Sequence, residues 1–214
     1  PNIYNNVYKK YNLKKTNIYI ETGTYIGRGI TKPVGCNCTG CFCMCNPKNP
    51  NTTGVLNNYN KIYSIELSEK YYNFNVKQFK SFKNVNIING DSSIELKKLL
   101  DKIEEPVTIF LDAHWSGGDT GRTNIDSPLL EELDLLKKRE YRDIIIIDDT
   151  RCIGKKGQSG RIGNANYPPM IFDWSYIKLD DIEKRLKEDY IILTNENKDI
   201  TDGKIDQIIL IPIK

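Results

Sequence analysis

Short runs of β-branched residues recur along this chain, and helical patterns fill the spaces between them. The runs are residues 17–21 (NIYIE), 61–65 (KIYSI), 85–88 (VNII), 107–112 (VTIFLD) and 143–148 (DIIIID). Ile and Val fall on both faces of these runs, as parallel strands covered on both sides require. Ser92 with Glu95 reads as a capping box ahead of Ile94, Leu99, Leu100 and Ile103. Ser127 followed by Pro128 reads as an N-cap with proline at the first helical position, and Leu129, Leu130, Leu133 and Leu136 then form a stripe. Ser68 opens another helix, with Tyr72, Val76 and Phe79 as its buried face, and Asp180 with Glu183 caps one carrying Ile182 and Leu186. Such alternation implies an α/β fold with right-handed crossovers. The end differs. Residues 190–194 and 207–212 are strand-like with only a polar turn between them, which predicts an antiparallel hairpin on the sheet.

At 214 residues the chain is long enough for one domain with its own core, so 1–214 is read as a single domain. Residues 33–60, rich in Cys, Asn, Pro and Gly, read as an insertion. Residues 150–176, ending in Phe172, Trp174 and Tyr176, read as a substrate loop, because loops this long in a compact domain are commonly functional. The chain begins at Pro1 rather than Met, as an excised domain of a longer protein or a processed product would. No run approaches the ~18 apolar residues of a membrane span, and no apolar signal-peptide run opens the chain. The net charge of +3 comes from interspersed signs, so neither nucleic acid nor membrane is an expected partner. A small-molecule or glycan acceptor is expected, and a homo-oligomer is compatible.

Five of the six cysteines, Cys36, Cys38, Cys41, Cys43 and Cys45, lie together, with Cys152 far away. This is not the spread of a secreted disulfide scaffold, so a reducing compartment is expected: the cytoplasm, or the host cytoplasm if the chain is viral. The cluster admits a structural Zn²⁺ site, a redox-sensitive loop, or reduced thiols on a mobile insertion. Its spacing is tighter than two separated Cys-x-x-Cys pairs, which favours the reduced loop over zinc.

The first strand ends in Glu21-Thr-Gly23-Thr24-Tyr25-Ile-Gly27-Arg-Gly29. Glycines after a strand let backbone approach a ligand, and the next helix offers free N–H groups. The spacing is not the Gly-x-Gly-x-x-Gly of dinucleotide sites. An acid at the strand end would repel a pyrophosphate but can accept a bond from an ammonium group. Glu66, before Leu67, ends the second strand, where a carboxylate can accept two ribose hydroxyls. Asp91, before Ser92, follows the third, where it can receive an adenine amino group or simply cap the helix. Acids at successive strand ends point to one sheet edge, where open α/β sheets bind ligands.

On these residues the chain resembles the class I S-adenosylmethionine-dependent methyltransferases, from the first strand through the fifth and again at the closing hairpin. The resemblance implies a Rossmann-like, doubly wound, mostly parallel seven-stranded sheet with a C-terminal antiparallel hairpin. It implies a cofactor site built from Glu21, Gly23, Thr24, Tyr25, Gly27, Glu66, Leu67, Asp91, Ser92 and Asp112. One departure is that Glu66 lies 45 residues after Glu21 (66 − 21), further than in the family. The Cys-rich insertion accounts for the excess.

The fourth strand ends in Asp112-Ala-His114-Trp115-Ser-Gly-Gly-Asp119, and the fifth in Asp148-Asp149. Converging carboxylates need a cation, and oxygen ligands suit Mg²⁺ or Ca²⁺. The layout is similar to metal-dependent sugar O-methyltransferases of the macrocin O-methyltransferase type, although the surrounding residues differ. That similarity implies Mg²⁺ on Asp112, Asp148 and Asp149, binding vicinal sugar hydroxyls. His114, the only histidine, is the expected catalytic base beside Asp112; an imidazole of pKa about 6.5 suits the task. Asp119 is the runner-up base or ligand. Trp115 is a candidate stacking surface, and Arg151, Arg161, Tyr167 and Trp174 are expected to close over the acceptor. The reaction implied is O-methylation of a sugar, nucleotide sugar or glycan. The alternatives are a metal-dependent glycosyltransferase or nucleotide-sugar enzyme, and an inactive methyltransferase-like binding module.

Overall fold

The structure, a computed structural model, describes residues 10–31, 55–159, 170–194 and 206–213. Its elements are β1 (Ile18–Thr22), α1 (Arg28–Thr31), α2 (Val55–Asn58), β2 (Lys61–Glu66), α3 (Glu69–Gln78), β3 (Val85–Asn89), α4 (Ser92–Leu100), β4 (Val107–Leu111), α5 (Leu129–Lys137), β5 (Ile144–Ile147), a 3₁₀ turn (Thr150–Cys152), β6 (Lys156–Ser159), β7 (Met170–Asp173), α6 (Leu179–Leu186), β8 (Tyr190–Leu193) and β9 (Ile208–Pro212). The Cys36–Cys45 cluster, Arg161, Tyr167 and the turn at 195–203 lie outside the described residues.

Seven strands form one sheet in the order β3-β2-β1-β4-β5-β9-β8. Strands β1 to β5 run parallel, and β9 runs antiparallel to both of its neighbours. This is the expected Rossmann-like architecture. The closing hairpin inserts with its second strand inward, so β9 rather than β8 pairs with β5.

Strand alternation sends side chains to the two faces of the sheet. Ile18, Ile20, Ile109, Ile145 and Ile147 pack with Leu96, Leu99, Leu133, Leu136, Ile182 and Leu186, which places α4, α5 and α6 on one face. Tyr19 and Ile62 pack with Ile30, Val55 and Phe79, which places α1, α2 and α3 on the other. Each fully buried Ile or Leu contributes about 1.5–3 kcal/mol relative to exposure. Every residue of β5 is buried, as a central strand covered on both faces must be.

Several local expectations are corrected. Asp91, not Ser92, is the N-cap of α4: its Oδ1 accepts the Ser93 N–H at 2.9 Å, while Glu95 turns to Lys98 at 2.6 Å. Pro128 takes the cap position of α5, because Ser127 is engaged with the Tyr176 hydroxyl through both its N–H and its carbonyl. In α6 the cap is Lys178, and its N–H donates to Asp181 Oδ2 at 3.3 Å; Asp180 lies inside the helix. Ile94 is 54% exposed and Val76 41%, whereas Asn75 and Phe79 are the buried residues on that face of α3. Part of the 150–176 loop folds as a ribbon, β6 paired antiparallel with β7. Among the described residues no helix is long and apolar enough to cross a membrane.

Candidate active site

The strand order reverses between β1 and β4, and the carboxyl ends at that reversal carry the acids. This is where open α/β sheets form a crevice. The turn after β1 needs glycine twice, with φ of +82° at Gly23 and +72° at Gly27. A Cβ at Gly23 would lie 2.3 Å from the Asp112 carbonyl oxygen, so only a bare backbone can pass the tip of β4. Tyr25, between them, also sits at positive φ, +48°. Its ring lies edge-on to Tyr71 at 4.7 Å.

Glu21 faces inward beneath this turn. It is 1% exposed, and its Oε2 accepts the Ser64 hydroxyl at 2.7 Å. Its Oε1 occupies the space that a side chain at Gly29 would need. Burial pushes its pKa up to about 8, the Ser64 bond opposing and the Asp112 and Glu66 charges adding. The sequence reading expects Glu21 to accept from an ammonium group; in this arrangement the carboxyl lies buried under the turn with Ser64 as its partner.

Glu66, at the tip of β2, holds the same turn from the side. Oε2 accepts the Tyr25 N–H at 2.7 Å and Oε1 the Ser68 N–H at 2.8 Å, with Thr24 N–H a further donor. Burial raises its pKa against these bonds. A carboxylate offers about four lone-pair sites, so about one remains for a ligand. Leu67 is packed against Gly121, which carries the 115–126 loop across the tip of β2. Asp119 fastens that loop through its carbonyl to the Ser68 hydroxyl and through its carboxylate to Lys70. The sequence reading expects it as a base or metal ligand; here its carboxylate is exposed and paired with Lys70.

Asp112 and Asp149, following β4 and β5, are joined by His114. Its Nδ1 lies 3.3 Å from Asp112 Oδ1 and its Nε2 2.9 Å from Asp149 Oδ2. Ser116 Oγ is 2.8 Å from Nε2, and the Trp174 ring stands edge-on at 5.4 Å. Burial alone would lower the His114 pKa, but the two carboxylates outweigh it and push it up to about 10. Burial raises Asp112 against the His114 bond; in Asp149 burial is outweighed by His114 and Arg151, which hold it below the usual range. The two carboxylates favour the protonated ring, which opposes the expected role of His114 as a base in this arrangement.

The metal-ligand expectation also shifts. One ligand atom each from Asp112, His114 and Asp149 lie within 4.8 Å of one another. Asp148 is not in that group; it accepts from Gln207 Nε2 at 3.2 Å, and its pKa is pushed up to about 7 by burial and by Asp112 and Asp149. Arg151 is engaged by Asp149 and Asp206 with its side chain largely exposed, and Trp174, 3% exposed, lines the cavity beside Asp112 and His114. Trp115 is half-buried, with the Arg122 guanidinium 4.1 Å above its ring.

Sequence reasoning misses Glu132. It stands on the apolar stripe of α5, among Leu129, Leu133 and Leu136, and a carboxylate on such a stripe is the available signal. It is 1% exposed and receives the Ser92 and Thr22 hydroxyls; burial pushes its pKa up to about 8. Its Oε1 has no partner among the described residues. Glu132 lines a cavity of about 10 Å³ together with Asp112, His114, Ser127 and Asp148. That is room for one water.

No protein-family model matches the chain, and no curated protein matches it. Solved structures align at low similarity. A dimethyladenosine transferase from Plasmodium falciparum aligns over 99% of this chain at 14% identity and a TM-score of 0.41; the chain spans 62% of that protein. The SAH-bound methyltransferase PaMTH1 from Podospora anserina aligns over 92% of this chain and 72% of its own, at 15% identity and a TM-score of 0.47. The N-methyltransferase NodS from Bradyrhizobium japonicum WM9 aligns over 97% and 89%, at 8% identity and 0.48. Likenesses this weak carry no argument about chemistry, and the Rossmann-like fold rests on the strand order itself.

Proposed function

We propose that this chain is an S-adenosylmethionine-dependent O-methyltransferase acting on a hydroxyl of a sugar, nucleotide sugar or glycan, assisted by a divalent cation. The observation that carries the reading is the placement of the Gly23–Gly27 turn. It lies at the reversal between β1 and β4, pressed on the Asp112 backbone and tied to Glu66. A cradle that a Cβ would fill, with an acid on the neighbouring strand tip, fits an amino-acid tail and a ribose.

S-adenosylmethionine, when bound, supplies a sulfonium methyl group. The chain's part is alignment, which is proximity catalysis. Glu66 offers its remaining acceptor site to the ribose, and the α4 N-terminus with Asp91 borders the adenine side. The acceptor hydroxyl faces the Asp112–His114–Asp149 cluster. The cofactor's methyl would go to the acceptor oxygen, with S-adenosylhomocysteine as the leaving group. The hydroxyl proton leaves to a carboxylate of the cluster. The sugar acceptor comes from the family resemblance of the β4 and β5 acids.

Thermal-shift and calorimetric titrations with S-adenosylmethionine, S-adenosylhomocysteine and nucleotide diphosphates test the reading. Ligand at a hundredfold excess over Kd raises stability by about 2.7 kcal/mol. Binding of both sulfur nucleosides supports the proposal. A response to nucleotide diphosphates alone would replace it with a nucleotide-sugar enzyme, and binding without turnover on any hydroxylated acceptor would leave a binding module.

A further inference from the structure

We infer that Asp112, His114 and Asp149 form a mixed nitrogen–oxygen metal centre, with His114 in place of Asp148 in the ligand set, suited to a 3d divalent ion rather than Mg²⁺. This deepens the cation site of the preceding reading and rests on it for use in catalysis, though not for binding.

The geometry comes first. An ion with bonds of about 2.1 Å sets neighbouring ligand atoms about 3 Å apart and opposite ones about 4.2 Å apart. His114 Nε2 and Asp149 Oδ2 are 2.9 Å apart, and all three ligand atoms fall within 4.8 Å. Asp112 Oδ1 lies against His114 Nδ1 at 3.3 Å, which orients the ring and turns Nε2 toward Asp149. A carboxylate holding the far nitrogen of a ligating histidine is a recurrent support in metal sites.

The donor set comes second. Imidazole nitrogen suits iron, cobalt, nickel, copper and zinc, whereas Mg²⁺ prefers oxygen and dehydrates reluctantly. An Asp112–Asp148–Asp149 set would be all oxygen. Asp148 is not among the three residues whose ligand atoms come together, and its Oδ1 accepts from Gln207.

Glu132 supplies an independent observation. Its buried Oε1, without a partner among the described residues, lines the one-water cavity whose wall includes Asp112 and His114. A hydrogen-bonded Asp–His–Asp clamp accounts for the histidine contacts and leaves Glu132 unexplained. A water in that space would give Oε1 a donor and lie against the ligand cluster.

The test uses Mn²⁺ on the full chain after chelator treatment, because thiolates at Cys36–Cys45 would compete for zinc. Wild-type protein is expected to bind one Mn²⁺ whose spin-echo spectrum shows nitrogen modulation from a coordinated imidazole. His114→Asn is expected to lose that modulation and to weaken Mn²⁺ binding tenfold or more while changing Mg²⁺ binding little. Asp149→Asn is expected to weaken Mn²⁺ binding at least tenfold, and Asp148→Asn less than twofold. Mn²⁺ bound without nitrogen modulation overturns the inference, as does a larger loss in Asp148→Asn than in His114→Asn, or no binding at millimolar Mn²⁺. The wild-type spectrum decides even if a variant fails to fold. Nitrogen-ligated Mn²⁺ in a protein that ignores S-adenosylmethionine supports the centre and removes the methyltransferase reading. Cofactor binding with an all-oxygen ion does the reverse.

Discussion

His114 lies 2.9 Å from Asp149, so a single imidazole ring fastens the tip of β4 to the tip of β5. Both side chains are mostly covered, at 15% and 18% exposure, and screening is correspondingly weak. Asp149→Asn is expected to cost about 1–3 kcal/mol at neutral pH, the range for a buried polar group that loses its partner. Urea denaturation of the chelator-treated protein measures it. An unchanged midpoint would mean that the contact contributes nothing.

Gly23 is the second place to press. Alanine there meets the Asp112 carbonyl at 2.3 Å and inherits a φ of +82°. Gly23→Ala is expected to destabilise by about 1–3 kcal/mol and to lower S-adenosylmethionine affinity by more than tenfold. Calorimetry on the folded variant separates the two effects. Wild-type affinity would show that the turn is not the cradle.

Two buried carboxyls make stability depend on pH. Glu21 and Glu132 ionise near 4.5 when free and at about 8 in the fold. A raised folded value contributes stability that is fully present below the free value and is lost as pH climbs to the folded one. Stability is therefore expected to fall between pH 4.5 and 8, by up to about 1.4 kcal/mol per pH unit for each group. Glu132→Gln should remove one group's share of that slope. Urea midpoints at about pH 5.5 and about pH 8.5 measure it. Parallel profiles for the variant and the wild type would show that Glu132 is ionised in the fold.

Glu66 and His114 should separate binding from turnover. Glu66→Ala is expected to abolish S-adenosylmethionine binding, and His114→Ala to keep it while losing methyl transfer. Calorimetry paired with a radiolabelled methyl-transfer assay reads both. Full turnover in His114→Ala would remove the histidine from the reaction.

Much of the fold is legible in the sequence because strand and helix periods are local properties. The five parallel strands fall within one residue of their expected ends, and Asp91 can be read as a cap from its place ahead of Ser92. Ile94 and Val76 depart from expectation because exposure depends on what lies across from a helix, not on the helix itself. The β6–β7 ribbon is hidden in a segment with no apolar alternation.

Residue type and spacing suffice for the alternating elements, the glycine turn and the acids at the strand ends. Which acids meet is a matter of three-dimensional packing. Packing turns Glu21 inward, gives Asp148 to Gln207, sets His114 between Asp112 and Asp149, and buries Glu132 beside them. Those outcomes depend on distances between segments far apart in the chain, and charge interactions and desolvation are set by such distances.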